Sequence, residues 1–319
     1  MVQILKNISK VDYSIIIPVY CNQGTLIEIY NKIRSDVTSH HKSKEYEIIF
    51  IDDGSYDSSF DELLELKNKD PERIKLIKFT RNFGQVSAII AGYKYSKGNC
   101  IINISADLQD PPRLISDMLN YYYNEKYEMV VCYRISRDEP FLRRLTSKIF
   151  YKIIKKLSFP NMPVGGFDFA LISSKVKDCI LDNLEANSFL QGQILWGGHT
   201  AKFIPYKREI RKIGESKWGF GKKIKYLIDG VVSYSYFPLR AMSITGIIVS
   251  LLGFLYAITI VLFKLFGKIP VKGWTPIMVI VLVLSGIQML MLGIVGEYLW
   301  RALDQIRGRS LYIIDKIYD

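Results

Sequence analysis

The sequence has little of the chemistry that holds small secreted proteins together. Its 319 residues include four cysteines, and no two of them form a C-x-x-C pair. The three histidines are not spaced as metal ligands, so neither a disulfide framework nor a zinc site is expected. The opening segment, MVQILKNISK, lacks the apolar core of a signal peptide. These absences favour a protein that works in a reducing compartment.

Acidic residues are also in deficit. Lys and Arg number 43 against 31 Asp and Glu, which gives a formal net charge of +12. Such an excess suits an anionic partner. Three classes fit, namely nucleic acid, an acidic lipid surface and a phosphorylated substrate. The basic residues cluster beside apolar segments rather than along one soluble face, so nucleic acid is not expected among the partners.

Short β-rich runs alternate with amphipathic segments from Tyr13 to about Phe203. The predicted strands are YSIIIPVY (13–20), YEIIFIDD (46–53), IKLIKFT (74–80), NCIINIS (99–105) and EMVVCYR (128–134). The predicted helices lie between them at 24–37, 58–69, 85–96 and 112–124. Continuous apolar strands separated by helices are typical of an α/β domain, in which helices cover both faces of a parallel sheet.

Polar side chains gather where the predicted strands end. Asp53 ends the second run, Arg134 ends the fifth, and in IINISADLQDPP (101–112) Asp107 and Gln109 follow the fourth. Ligands bind at the carboxyl edge of open α/β sheets, and Asp and Gln oxygens suit Mg²⁺ or Mn²⁺ on a diphosphate. An acidic turn that caps the next helix explains Asp107 and Gln109 equally well. Several such strand ends on one edge favour a site.

Two long apolar segments follow, at 244–263 and 275–298. Each has about the twenty residues that a bilayer-spanning helix needs, and buried helices of soluble cores rarely run so long without a charge. The short connector predicts a hairpin. Basic residues are more numerous in the flanks than in the connector, so the positive-inside rule places both flanks in the cytoplasm. Glycines in the two segments permit close helix packing, which leaves a homo-oligomer open.

These patterns divide the chain into four parts. Residues 1–217 form the predicted cytoplasmic α/β domain, and 241–300 hold the two spans. Residues 218–240 mix basic, aromatic and aliphatic side chains, which suits an amphipathic helix in the headgroup layer, although an ordinary linker helix fits as well. Residues 301–319 form a cytoplasmic tail.

A set of motifs, in order and spacing, resembles the family-2 inverting glycosyltransferases, specifically the polyprenyl-phosphate branch with dolichol-phosphate mannose synthase and bactoprenol glucosyltransferases. The motifs are SIIIPVYCNQ (14–23), IDDGSYDSS (51–59), RNFGQVSAIIAGYKYSKG (81–98), SADLQDPP (105–112), GGFDFALIS (165–173), IGESKWG (213–219) and the two-helix tail. The resemblance covers nearly the whole chain. It implies a Rossmann-like GT-A nucleotide-sugar domain, followed by interfacial helices and a transmembrane hairpin.

The resemblance also implies an activity and a location. One sugar would pass from a nucleotide-sugar to undecaprenyl or another polyprenyl phosphate with inversion, making a lipid-linked sugar for cell-surface glycan modification. UDP-glucose is the first candidate donor, by resemblance to the bactoprenol branch. The protein would lie in the bacterial inner membrane, with the catalytic domain and both termini in the cytoplasm.

On the donor side, the family's base pocket and nucleotide contact match Pro18, Val19, Tyr20 and Asp53. Its Mg²⁺ or Mn²⁺ site on the diphosphate matches Asp107 and Gln109. Arg211 and Lys217 would add charge-assisted hydrogen bonds to that diphosphate, and surface charge is the other interpretation of the pair. One position departs from the pattern, because the family's D-x-D begins with Asp where this chain has Ser105. Serine is a poorer metal ligand, which weakens the expected metal dependence.

On the acceptor side, the residues that hold the lipid phosphate in the family match Arg134, Arg143 and Ser147. Guanidinium groups offer phosphate two parallel donors, and Arg143 and Ser147 share one helical face. Asp168, in GGFDF, matches the family's catalytic carboxylate, and a turn cap is its alternative. A phosphate monoester has a second pKa of about 6, so Asp168 would orient the acceptor or sugar, or take a residual proton.

Two other functions stay open. A processive polysaccharide synthase shares the nucleotide-sugar domain, but it would normally carry a Q-x-x-R-W motif and more membrane spans. A catalytically impaired membrane scaffold would keep the fold, and Ser105 is the hint of it. Transfer assays with a panel of nucleotide-sugars and polyprenyl phosphates separate these functions.

Overall fold

The computed structural model describes residues 11–135, 155, 159, 161–163, 166–185, 189–209, 232, 235, 237–265 and 274–319. The chain divides into two compact units. The first consists of Met1–Leu227 together with Ser310–Asp319, and the second is Ile228–Arg309.

The first unit is built on one eight-stranded sheet. Its strands are β1 (Tyr13–Val19), β2 (Tyr46–Asp52), β3 (Ile74–Phe79), β4 (Cys100–Asn103), β5 (Met129–Arg134), β6 (Phe169–Ser173), β7 (Ala201–Tyr206) and β8 (Ile314–Tyr318). Its helices are α1 (Leu26–Ile33, continued by a π-helical turn at Arg34–Thr38), α2 (Ser59–Lys69), α3 (Gln85–Tyr95), α4 (Leu114–Tyr123), α5 (Ser174–Asp182) and α6 (Leu190–Trp196). The strands follow the order β7-β5-β6-β4-β1-β2-β3-β8.

Helices cover both faces of the sheet, as the sequence predicts. On one face Ile15 and Ile17 of β1 join a buried cluster with residues of α1, α2 and α4. On the other face lies Ile16, and α3 packs there so closely that a Cβ on Gly92 would come within 2.5 Å of the Ile16 side chain. Burial on both faces explains why Ile15–Ile17 and Ile48–Ile51 are apolar without interruption.

The five strands predicted from the sequence all run in one direction, but the whole sheet is mixed because of two further strands, β6 and β8. β1 to β4 pair in parallel where they meet, and β5 pairs in parallel with β7. β6 is antiparallel and lies between β4 and β5, while β8 is antiparallel at the edge beside β3. Apolar runs show that a strand is buried, but its direction depends on a partner far away in the chain.

The tail contributes a strand that the sequence analysis did not anticipate. β8 pairs with β3 from Leu76, opposite Tyr318, and the register shifts at a bulge between Lys78 and Phe79. Just before β8, the ring of Tyr312 stacks on Phe79 with centroids 5.1 Å apart. Residues 310–319 therefore belong to the first unit, although they follow the apolar helices in the chain.

The second unit contains the two long helices that the apolar segments predict. They are α7 (Phe237–Leu265) and α8 (Trp274–Arg307). The windows Phe237–Tyr256 and Val283–Arg307 are long and apolar enough to cross a membrane, with mean hydropathies of 1.7 and 1.4. Large apolar side chains on both helices are exposed to the surroundings. Both helices extend beyond the predicted segments at 244–263 and 275–298.

Candidate active site

Side chains that the sequence places at strand ends lie along one edge of the sheet. Asp53 and Asp107 follow the carboxyl ends of β2 and β4, which flank β1 in parallel. Because β6 is antiparallel to β4, with Asn103 opposite Ala170, the residue before β6 lies at this same edge. That residue is Asp168. The reversed strand therefore brings Asp168 to the edge where Asp107 lies.

The backbone at this edge adopts conformations that few residues tolerate. Gly54, after β2, has a φ of +70°, and a Cβ there would lie 2.5 Å from the backbone carbonyl carbon of Arg81. Cys21 and Leu108 have φ values of 51° and 58° although neither is glycine. Such left-handed residues cost free energy and cluster at functional sites, where the surrounding structure holds them.

The predicted base pocket begins at the end of β1. Val19 is fully buried in the core, whereas Pro18 and Tyr20 keep part of their surface exposed. The ring of Tyr20 meets that of Tyr56 edge to face, with centroids 6.2 Å apart, and Tyr56 is 81% exposed. An exposed aromatic pair beside a strand end suits a flat ligand, and the nucleotide contact of these residues stays a prediction.

Asp53 connects the loop after β2 with the loop between β3 and α3. Its Oδ1 accepts a hydrogen bond from the backbone N–H of Phe83 at 2.6 Å, and its Oδ2 accepts one from Gly84 at 2.9 Å. Burial raises the pKa of Asp53 to about 6, against the opposing effect of these two bonds. Asp53 thus organises the loop between β3 and α3, and its nucleotide contact also stays a prediction.

Asp107 is held by its neighbours on both oxygens. Its Oδ1 accepts hydrogen bonds from the Ser105 hydroxyl at 2.8 Å and from the backbone N–H of Gln109 at 3.2 Å. Its Oδ2 lies 3.5 Å from a guanidinium nitrogen of Arg208. The Gln109 amide donates to the backbone carbonyl of Glu209 at 3.1 Å. Ser105 thus orients the carboxylate of Asp107, and the segment after β7 closes over the loop after β4.

Alternating acidic and basic groups continue from Asp107 across the edge. Arg208 Nε lies 3.7 Å from Oδ1 of Asp110, and that oxygen accepts a hydrogen bond from the Tyr206 hydroxyl at 2.5 Å. The charge of Arg134 interacts electrostatically with both Asp110 and Tyr206. We name this set the polar chain, and its members are Asp107, Arg208, Asp110, Tyr206, Arg134 and Asp168.

The polar chain ends in an ion pair between two predicted site residues. Arg134 Nη2 donates to Oδ2 of Asp168 at 2.5 Å. The side chain of Arg134 is 8% exposed and that of Asp168 40%. Burial opposes the charge of Asp168, but Arg134, Arg208 and the hydrogen bonds from Arg134 and Gln191 together lower its pKa. Asp168 is therefore a weak base that stays ionised at neutral pH.

A small cavity of about 30 Å³ lies beside Asp168. Its walls come from α3, β4, the start of β6 and α6, and they include Gln85, Ile89, Asn103, Phe167, Asp168 and Gln191. Asn103 donates to the backbone carbonyl of Asp168 and accepts from the buried Tyr93 hydroxyl at 3.1 Å. The Asp168 backbone and carboxylate are thus both anchored.

Comparison with known proteins gives the family. The model of glycosyl transferase family 2 matches residues 14–181. The chain belongs to glycosyltransferase family 2. It is 38% identical over 309 residues to the uncharacterized glycosyltransferase YkcC of Bacillus subtilis, covering 97% of this chain and 94% of that one. It is 33% identical over 304 residues to a bactoprenol glucosyl transferase of Shigella flexneri, covering 95% and 97%.

Among solved structures, one match is a mannosyltransferase from Pyrobaculum calidifontis in complex with GDP-mannose and Mn²⁺. Its TM-score is 0.49 at 15% identity, covering 68% of this chain and 62% of that one. Membership of family 2 and the mixed α/β sheet of the first unit agree with the nucleotide-sugar fold that the resemblance implies, GT-A.

Asp107 and Gln109 suit a divalent cation that takes only a few of its ligands from the protein. Among the residues that the structure describes, no group of three or more His, Cys, Asp or Glu could hold a metal ion. Asp107 and Gln109 offer one carboxylate and one amide oxygen. Mg²⁺ is often held by one or two carboxylates together with substrate phosphates, so this set suffices when a diphosphate supplies further oxygens.

The structure adds residues that the sequence analysis missed, namely Asp110, Gln191, Tyr206 and Arg208. Asp110 stood in the recognised motif SADLQDPP, and Arg208 lies three residues before Arg211. Gln191 carried no signal. Four predicted residues lie outside the described residues, and these are Arg143, Ser147, Arg211 and Lys217.

Proposed function

We propose that this glycosyltransferase transfers glucose from UDP-glucose to undecaprenyl or another polyprenyl phosphate, with inversion, at the cytoplasmic face of the bacterial inner membrane. The relative from Shigella flexneri, named for glucose transfer to bactoprenol, supports the acceptor and the sugar. The observation that carries the proposal is the polar chain. It joins Asp107, where a donor diphosphate would be held, to Asp168, where an acceptor would arrive.

The chemistry is a direct displacement at the sugar. An oxygen of the lipid phosphate attacks the anomeric carbon, and the bond from that carbon to the nucleoside diphosphate breaks. A phosphate monoester has a second pKa of about 6, so this nucleophile is largely dianionic at neutral pH. Asp168, ionised and paired with Arg134, suits orientation of the reacting groups better than removal of a proton.

Charge on the departing diphosphate needs stabilisation at the other end of the polar chain. Asp107 and Gln109 would hold Mg²⁺ or Mn²⁺, which neutralises a departing diphosphate when it is bound. Arg208 already lies 3.5 Å from Asp107. A guanidinium in this place is a permanent cation, and it compensates in part for the serine at position 105.

The return of the chain to the sheet supports the proposed topology. β8 follows α7 and α8 in the chain, yet it pairs with β3 of the first unit. A chain whose two flanks share one sheet must cross a bilayer an even number of times. A two-span hairpin satisfies this condition, and the predicted cytoplasmic location of both flanks agrees with it.

The full chain in lipid nanodiscs, supplied with undecaprenyl phosphate and a panel of nucleotide-sugars, tests this function. We expect transfer from UDP-glucose, none to undecaprenol without its phosphate, and a product whose anomeric configuration is opposite to that of the donor by NMR. Binding of undecaprenyl phosphate without transfer from any donor would favour the scaffold function instead.

A further inference from the structure

The Gln191 amide contacts Asp168, the residue proposed to orient the reaction, and the backbone of Phe167 just before it. Gln191 lies on α6 and is 5% exposed. Its Nε2 donates to the backbone carbonyl of Phe167 at 2.6 Å and lies 3.3 Å from Oδ1 of Asp168. The Phe167 carbonyl can only accept, so the nitrogen of the amide must face this side.

The oxygen of the same amide makes no comparable hydrogen bond within the described residues. Oε1 of Gln191 is buried and has no hydrogen-bond partner among the described residues. A buried acceptor without a partner destabilises a fold, so packing alone would be better served by an apolar side chain such as leucine. The contacts of Gln191 with the protein are therefore those of its N–H groups, directed at Phe167 and Asp168.

The contacts of Asp168 come from different elements and act on different atoms. Arg134 at the end of β5 holds Oδ2, and Gln191 on α6 approaches Oδ1. Asn103 at the end of β4 holds the backbone carbonyl. Arg134 restrains rotation of the carboxylate about its bond to Cβ through one oxygen alone, and a second donor on Oδ1 restrains its plane further.

We propose that Gln191 is a positioning residue, which together with Arg134 fixes the plane of the Asp168 carboxylate. This inference rests on the proposed function, because it gives Asp168 a part in the transfer. It adds a residue of α6 to the site, and it predicts that turnover depends on an amide that does not itself touch the sugar or the lipid phosphate.

Three variants of the full chain in nanodiscs test the proposal. Gln191→Leu removes both donors at similar size, and Gln191→Glu also places a negative charge beside Asp168. Gln193→Leu is the matched control, because Gln193 is 7% exposed on the same helix but donates to the Asn183 carbonyl at 3.3 Å. We expect kcat to fall about tenfold or more in Gln191→Leu, the effect of losing a hydrogen bond to a charged group.

Other readouts separate positioning from a structural role. We expect Gln191→Glu to lose at least as much kcat as Gln191→Leu, because its charge repels Asp168. Affinity for the nucleotide-sugar should stay within about threefold in both variants, and Gln193→Leu should keep at least about half of the wild-type kcat. The melting temperature of Gln191→Leu should stay within about 4 °C, since it loses an unpartnered oxygen along with the bond to Phe167.

A double-mutant cycle with Asp168→Asn tests whether Gln191 acts through Asp168. If Gln191 acts through Asp168, adding Gln191→Leu to Asp168→Asn lowers kcat by less than about twofold further, which radiolabelled donor and long incubations can measure. Additive losses, equal losses in Gln193→Leu, or a Gln191→Leu kcat within about twofold of wild type would each overturn the proposal. Absence of transfer by the wild type is a different result, which defeats the proposed function and this inference with it.

Discussion

The two units of the glycosyltransferase expose and bury opposite kinds of side chain. The first unit buries charge, since Asp110 is 0% exposed and Arg134 is 9% exposed. The second unit exposes apolar side chains, among them Leu251 at 57% and Leu290 at 64%. A buried ion is tolerated when it is paired, and a large exposed apolar surface is tolerated when lipid or protein covers it.

This difference indicates that the surface of each unit suits different surroundings. In the first unit, a low-dielectric interior strengthens the interactions of the polar chain, which suits the control of charge during group transfer. In the second, the apolar surface suits contact with hydrocarbon. An acceptor with a long apolar tail and a phosphate head requires both properties in one protein, because neither part of it can leave its own solvent cheaply.

Neutralising one carboxylate of the polar chain should have the largest effect. We expect Asp168→Asn to lower turnover at least about a hundredfold, because Arg134 loses its charged partner and the reacting groups lose their orienting carboxylate. The affinity for nucleotide-sugar should change less than about threefold. Rates and calorimetric binding of UDP-glucose measure the two quantities.

The control for this variant is Asp178→Asn. Asp178 is an exposed carboxylate on α5 whose ion pair with Lys177 is 3.5 Å long. It should keep at least about half of the wild-type turnover. Equal turnover in both variants would show that the buried polar chain has no special part in catalysis.

The next effect concerns the other end of the polar chain. Asp107→Ala should abolish the part of UDP-glucose affinity that depends on Mg²⁺, a loss of about tenfold, while affinity measured in EDTA should hardly change. Titration calorimetry with and without Mg²⁺ measures both. Asp117→Ala, at an exposed carboxylate on α4, is the control. Unchanged Mg²⁺ dependence in Asp107→Ala would place the cation elsewhere.

A smaller effect tests the solvent of the second unit. Leu251→Lys should reduce the carbonate-resistant membrane fraction, because a lysine near the centre of a spanning helix costs about 3 kcal/mol. Ile27→Lys is the matched control, at an apolar residue of α1 that is 42% exposed. It should change stability by less than about 0.5 kcal/mol. Equal tolerance at both positions would mean that Leu251 faces water.

The smallest effect concerns the tail. Lys75 Nζ lies 2.6 Å from a carboxylate oxygen of Asp319, and their side chains are 10% and 72% exposed. Lys75→Met should therefore cost about 0 to 1 kcal/mol of unfolding free energy, since most of β8 is held by its ladder and by ring contacts. Thermal unfolding in nanodiscs measures it, and Lys177→Met serves as the control, because Lys177 is 15% exposed and its ion pair with Asp178 is 3.5 Å long. A loss above about 3 kcal/mol would contradict this ranking.

Local sequence patterns predicted most of the first unit. The strands from β1 to β5 and helices α2 to α4 begin and end within a few residues of the predicted bounds, because their apolar runs are bounded by Gly, Pro and acidic turns. The two antiparallel strands were not predictable in this way. β6 lies antiparallel between β4 and β5, and β8 pairs antiparallel with β3, which lies in a distant part of the chain.

The residues of the site were predicted only in part, because local patterns identify single residues and not which of them meet. Asp107, Arg134 and Asp168 were recognisable from strand ends and motifs, and the structure places them on one edge. Their connection was not recognisable, because it runs through Tyr206 and Arg208 on a segment beside β5. Which side chains meet depends on the order of the strands, and a motif carries no information about that order.

β8 has a consequence for biosynthesis. The strand that covers the free edge of β3 is synthesised after both apolar helices. Until then, the nascent catalytic sheet presents unpaired N–H and C=O groups along β3, an edge prone to wrong association. Both apolar helices are therefore synthesised before the sheet can close, so a ribosome that stalls in α8 leaves the first unit with an open flank for proteases and chaperones.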